Sequence, residues 1–135
     1  DVMMDEAERE LKNLQPPDAL AFVRQRLRMS VFAELVRDTD RNKGNVVYTS
    51  DWRVIMLDFS RAFRLDRPLR TPGQLAMCDR ALLGAMRALT RADVEAAVDE
   101  HLTTGEIKAI LTRRDLLVAH FDQLIATRGE NIVLY

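Results

Sequence analysis

Cysteine is nearly absent from this chain of 135 residues, and the single one, Cys78, excludes an intrachain disulfide and any cysteine-built zinc site. It reads as a small, buried apolar residue, in keeping with a reducing compartment. Histidine is scarce too: His101 and His120 lie on or beside helical segments with no partner at ligand spacing, so a histidine metal centre is not expected. No uninterrupted apolar run approaches the roughly 18 residues that a bilayer span requires, and residues 1–10 are too charged for a secretory signal. Neither sign of charge dominates, because 20 basic residues face 21 acidic ones. The net charge of -1 removes any bulk attraction to nucleic acid or to an anionic membrane, so charge-driven recognition has to be local. Internal repeats and low-complexity stretches are missing as well. These absences lead us to expect a soluble, cytoplasmic chain with neither nucleic acid nor membrane as partner.

What remains is a hydrophobic content of 47%, enough for one core, and we read residues 1–135 as a single domain. Met3, Ala7, Leu11 and Leu14 recur at helical spacing and predict a short amphipathic helix over residues 2–14, stopped by Pro16 and Pro17. Asp18 caps the next helix, in which Leu20, Val23, Leu27, Val31 and Leu35 form a stripe over residues 19–37. The pattern then changes. Val46 to Tyr48 and Val54 to Leu57 are β-favouring runs around the turn-rich Thr49, Ser50 and Asp51, which predicts a hairpin. An irregular basic stretch follows, and helical patterns return over residues 74–128. Thr90 with Asp93 and Thr103 with Glu106 have capping-box spacing, and Gly129 suits a C-cap. Residues 132–135 read as a strand or a docked extension. The expected fold class is mainly α with a small β-hairpin, an α+β arrangement.

Chemistry concentrates between residues 38 and 64. Asn45 lies five residues after Asp40 within one short loop, so a carboxylate and a carboxamide can converge on one pocket. Asp58 follows Asn45 by thirteen residues, and a hairpin folded about the Asp51–Trp52 midpoint would set positions 45 and 58 opposite each other, about 5 Å apart. Two oxygen-bearing side chains at the open end of a hairpin are hard ligands suited to Mg²⁺ or Mn²⁺. Asp40, across from them, can orient or deprotonate a hydroxyl or water while the cation neutralises phosphoryl charge.

At these residues the chain resembles the protein-kinase-like superfamily, and more closely its atypical branch, which includes phosphatidylinositol kinases and bacterial kinase-like proteins. That branch has a catalytic loop Asp-Arg-His-x-x-Asn and a metal motif Asp-Phe-Gly. Asp40, Arg41 and Asn45 match the first, with Asn42 at the histidine position, and Asp58 and Phe59 match the second, with Ser60 at the glycine position. The resemblance covers residues 19–65 at the level of motifs and, more loosely, the helical remainder as a kinase C-lobe. It implies Asp40 as catalytic base and Asn45 and Asp58 as metal ligands. A complete kinase also has an N-lobe with a glycine-rich loop, a strand lysine and a helix glutamate. Here the first glycine is Gly44, and nothing before Asp40 reads as that lobe.

Arg61, Arg64, Arg67 and Arg70 recur every third residue after Asp58, and Arg61, Arg64 and the loop residue Lys43 are the candidates to hold a phosphate or acidic group. A solvated face with local ion pairs is the competing reading for this run, as a turn rich in Asp, Asn and Gly is for the loop. The expected activity is metal-dependent phosphoryl transfer. Hydrolysis of a phosphoester demands less of a chain with no adenine clamp than ATP-dependent phosphorylation does. The alternatives are a C-lobe fragment of an ATP-dependent kinase and a catalytically silent binding module. The expected partner is a phosphorylated small molecule or nucleotide, and a homodimer would follow from burying the apolar surface that an N-lobe covers.

Overall fold

The computed structural model describes residues 1–98 and 100–135. Helix dominates, and a small three-stranded antiparallel sheet completes a mainly α, α+β fold. In chain order the elements are β1 (Val2–Asp5), α1 (Glu6–Leu11), α2 (Ala19–Leu35), β2 (Val46–Thr49), β3 (Val54–Met56), α3 (Arg80–Ala88), α4 (Arg91–Val98), α5 (Thr104–Arg128) and α6 (Glu130–Val133). Short 3₁₀ turns at Lys43–Asn45 and Pro72–Gln74 lead into the hairpin and precede α3.

The helices begin where side chains replace missing backbone partners. Asp18 accepts from the Ala21 N–H and Asp79 from the Leu82 N–H. Thr90 with Asp93, and Thr103 with Glu106, form the reciprocal capping boxes that their spacing predicts. Gly129 closes α5 at φ 95, a region that disfavours any side chain.

The first segment differs from the helix expected over residues 2–14. Residues 2–5 form β1, which pairs with β2 through Met4↔Tyr48 and Asp5↔Val47, with an irregularity between Val2 and Met4, and α1 starts only at Glu6. Met4 gains burial against the sheet that a lone helical turn could not supply. β2 is therefore central and buried along its whole length, whereas β3 is an edge strand.

Two apolar clusters organise the molecule. Met4, Phe22, Val46 and Tyr48 form the smaller, under the sheet. The larger joins Val31 and Leu35 of α2 to Leu83, Met86, Ile107, Ile110, Leu117 and Phe121 of the later helices, with Cys78 and Val133 fully enclosed. The terminal residues dock beside Cys78, through a parallel bridge between Cys78 and Leu134. α2 belongs to both clusters, and the loop residues Phe63 and Leu69 pack against the larger one.

Candidate functional site

The site is assembled by the chain leaving α2. Arg37, at φ 49, donates its N–H to the Glu34 carbonyl, and Asp38 donates to that of Ala33. This is the helix-ending motif that usually places glycine where Arg37 stands. The chain then turns into Asp38, which is buried, and Asp40, which is half-buried. Asn42 caps the following 3₁₀ turn by accepting from the Gly44 and Asn45 N–H groups at 2.9 and 3.2 Å, and its amide donates to Asp40 Oδ1 at 2.8 Å.

The hairpin is present, with its register displaced by one residue from the expected pairing. Val46 faces Met56, and the Leu57 N–H donates to the Asn45 carbonyl at 2.8 Å, so Asn45 lies opposite Leu57 rather than Asp58. The cause is the loop: Thr49 accepts from the Trp52 N–H and donates to Arg53, leaving three residues between the closing pair. Trp52 takes the left-handed conformation this loop needs, at φ 63, because its ring packs 5.8 Å from Phe22 and 6.1 Å from Tyr48 while Gln25 holds its carbonyl.

Asp58 is the second residue past the strand, also left-handed at φ 55, which aspartate tolerates better than most side chains. Its Oδ1 accepts from the Ser60 N–H at 3.0 Å. Hydrogen bonding from the Ser60 side chain, then from its backbone, holds the Asp58 carboxyl below the usual carboxylate range, and Arg41 and Arg61 add to the effect.

Arg41 gathers these pieces. Its guanidinium pairs with Asp38, donates to the Asn45 carbonyl at 3.0 Å and reaches the carbonyls of both Leu57 and Asp58. It also stacks 4.8 Å over Phe59, whose other neighbour is Phe32. Asn45 Nδ2 donates to the Asp40 carbonyl at 3.2 Å, which turns its Oδ1 away from that bond. Arg61 approaches Asp40 Oδ2 at 3.9 Å, and its carbonyl accepts from Thr39. The structure thus brings the backbone carbonyls of Asn45 and Asp58 to the arginine that follows Asp40. Sequence reasoning gave Arg41 no role beyond matching a motif position.

The other basic residues divide. Lys43 pairs with Glu10 of α1. Arg64 contributes its carbonyl to Arg113, and its side chain is exposed. Arg37 and Arg70, by contrast, line a cleft of about 510 Å³ together with Asp38, Asp40, Arg41, Asn42, Glu34 and Thr71. Arg37 was not singled out by sequence, and the φ > 0 that marks it is invisible there. His101 is exposed, and His120 faces the Leu75 carbonyl at 2.7 Å. Among the described residues no three His, Cys, Asp or Glu side chains converge as a metal cage, whereas Asn45 and Asp58 offer one amide and one carboxylate.

Buried polar residues fix the loop over residues 57–71. Glu34 accepts from the Arg70 N–H, the Thr71 N–H and the Thr71 hydroxyl at 2.8–2.9 Å. Arg37 donates to the Pro68 carbonyl at 2.7 Å. Arg113, fully enclosed, donates to the carbonyls of Leu35, Arg64 and Asp66, and burial pushes its guanidinium down to about 10. The chain matches no protein-family model, and no curated protein is similar to it.

Proposed function

We propose that this chain is a metal-dependent phosphoryl-transfer domain that hydrolyses a phosphoester, built like a kinase C-lobe. The observation that carries the reading is the Arg41 guanidinium, bonded at once to the carbonyls of Asn45 and Asp58 and adjacent in sequence to Asp40. The donor set fits a hard divalent cation such as Mg²⁺ or Mn²⁺: Asn45 Oδ1 and Asp58 Oδ2 are the oxygens not used by the Asn45–Asp40 and Asp58–Ser60 hydrogen bonds. Such a cation, when bound, would neutralise charge on the phosphoryl oxygens. Asp58 keeps its negative charge to low pH because Ser60 solvates it. Asp40, oriented by Asn42, is the general base that takes the proton of the attacking water, and Arg61 beside it offers a cation to a phosphoryl oxygen. Lys43 and Arg64 are secondary candidates for that contact.

The test is turnover of an activated phosphoester with Mg²⁺ or Mn²⁺. Asp58→Ala should abolish it and Asp40→Asn should reduce it by a factor of about 10² or more. Metal-independent turnover, or turnover unaffected by Asp58→Ala, would refute the assignment.

A second reading, the C-lobe of an ATP-dependent kinase, is favoured by the edge strand. Ile55 and, just past β3, Leu57 are 36% and 43% exposed on the face turned away from Val54 and Met56. A companion lobe, or a second copy of this chain, would cover that face. Nucleotide binding without hydrolysis would select this reading. Light scattering that gives a monomer at high concentration would remove the homodimer. Inertness in both assays would leave a silent binding module.

A further inference from the structure

The cleft beside Asp40 carries two guanidinium groups with no carboxylate of their own. Among the described residues, Asp38 is taken by Arg41, and both Glu34 oxygens are taken by the Arg70–Thr71 backbone and the Thr71 hydroxyl. Among the described residues, neither Arg37 nor Arg70 forms a salt bridge. Arg37 spends one nitrogen on the Pro68 carbonyl, and its Nε is buried with no partner. Arg37 also occupies a left-handed position where glycine is the relaxed choice, so its side chain is held there against a backbone preference. Arg70 has its backbone fixed by Glu34, which aims an otherwise unengaged side chain along the cleft wall.

We infer that this cleft is an anion subsite, in which Arg37 and Arg70 hold a second acidic group of the substrate, a phosphate or a carboxylate, apart from the phosphoryl group that reacts. The substrate class is then a small phosphoester bearing another anionic group, sized for a cleft of about 510 Å³. The identity of the reacting group rests on the phosphoryl-transfer reading above, while the subsite rests on the cleft alone. Planar guanidinium groups suit this task because each can present two parallel N–H donors to one anion. Asp40 and Asn42 line the same cleft, so an anion anchored there brings the rest of the molecule to the proposed base.

The experiment is an amide-NMR titration of the metal-free protein, in EDTA, with inorganic phosphate and then with 3-phosphoglycerate, and glycerol as the neutral control. The expected result is saturable shifts of the amides of residues 37–40 and 70–71, with 3-phosphoglycerate tighter than phosphate and glycerol silent. Arg70→Gln, which changes an exposed side chain with no partner, should weaken phosphate binding about fivefold to tenfold without altering the melting temperature. Shifts unchanged by Arg70→Gln would overturn the subsite, as would shifts confined to Asn45 and Asp58. Retention on vesicles containing phosphatidate, with no response to free phosphate, would overturn it in favour of a lipid headgroup. A separate Mn²⁺ relaxation titration of wild type and Asp58→Ala distinguishes the two failures. Wild type that binds no Mn²⁺, or binds it equally well as Asp58→Ala, while phosphate shifts are intact sinks only the phosphoryl reading; Mn²⁺ binding that depends on Asp58, without phosphate shifts, sinks only the subsite.

Discussion

Replacing Arg41 by methionine should be among the costliest single changes outside the apolar cores. Methionine keeps the apolar stem, so the loss falls on the guanidinium: its charge, its hydrogen bonds and its stacking on Phe59. The Asp38 side chain has no solvent exposure and the Arg41 side chain only 12%, so removing the arginine leaves a buried carboxylate without its cation. Breaking a buried pair in this way costs about 3–5 kcal/mol. The carbonyls of Asn45, Leu57 and Asp58 lose their shared donor at the same time, though solvent reaches the last two and limits the extra loss. A total of about 4 kcal/mol is a large part of the 5–15 kcal/mol that keeps a domain folded. Urea unfolding followed by far-ultraviolet circular dichroism measures it. Asp38→Asn closes a double-mutant cycle, for which the expected coupling is about 2 kcal/mol, because the double variant no longer buries an orphaned charge. A loss below about 1 kcal/mol for Arg41→Met, or additivity with Asp38→Asn, would show that Arg41 does not organise the loop. Arg41→Lys should recover little, since an ammonium group cannot span a carboxylate and three carbonyls at once.

Acid should act through Glu6. Hydrogen bonds from Arg9, Tyr48 and Arg26 take its carboxyl from an ordinary 4.5 down to about 2, so its contribution is complete above pH 4.5 and is lost as pH falls through 2. The difference corresponds to about 3 kcal/mol, and Glu6→Gln should flatten that limb of a stability-versus-pH curve; an unchanged slope would exclude Glu6 as its source. Asp58→Gly relaxes the backbone at φ 55 but loses the bond to Ser60, so unfolding should move by no more than ~0.5 kcal/mol while metal-dependent turnover disappears. A large destabilisation would mean that Asp58 serves the fold instead. Arg37→Gly should be close to neutral in denaturant melts, because relief of the left-handed strain, ~1 kcal/mol, offsets the lost bond to Pro68 of similar size. Phosphate-induced shifts should vanish in the same variant, and their persistence would return Arg37 to a purely structural role.

The hairpin, the capped starts of α2, α4 and α5 and the glycine stop at Gly129 were legible because each depends on residues adjacent in sequence. β1 was not: Met3, Ala7 and Leu11 fit a helical stripe, and only β2, more than forty residues away, decides in favour of a strand. The one-residue register difference has the same character. Thr49–Arg53 reads as a turn of either three or four residues, and the packing of Trp52 on Phe22 selects three. In the candidate site the motif positions were visible, whereas the side chains that hold them were not. Glu34 and Arg113 look like ordinary charges on helices, and Asp38 like one more acid in a turn, until the fold shows what they hold.

Those three buried charges bear on why the loop sits where it does. Among the described residues Arg113 pairs with no carboxylate, one of its nitrogens is unsatisfied, and Arg37 further disfavours its charge. Burial of a lone guanidinium opposes folding, and hydrogen bonds to three carbonyls offset that cost only in part. An apolar residue would fill the space with less penalty, yet it could not grip the end of α2 and the loop at residues 64–66 together. Glu34, near the end of α2, does the same work with opposite charge, on residues 70–71. The irregular segment after Asp58 is therefore held at both ends by polar side chains from the helical core, while Arg41 holds its beginning to the hairpin. Apolar packing of Phe63 and Leu69 fixes its depth but tolerates sliding, and directional bonds to named carbonyls do not. Such an arrangement gives up stability to fix the backbone path that carries Asp58, Arg61 and Arg70, and that is the property the proposed phosphoryl site would need from a loop.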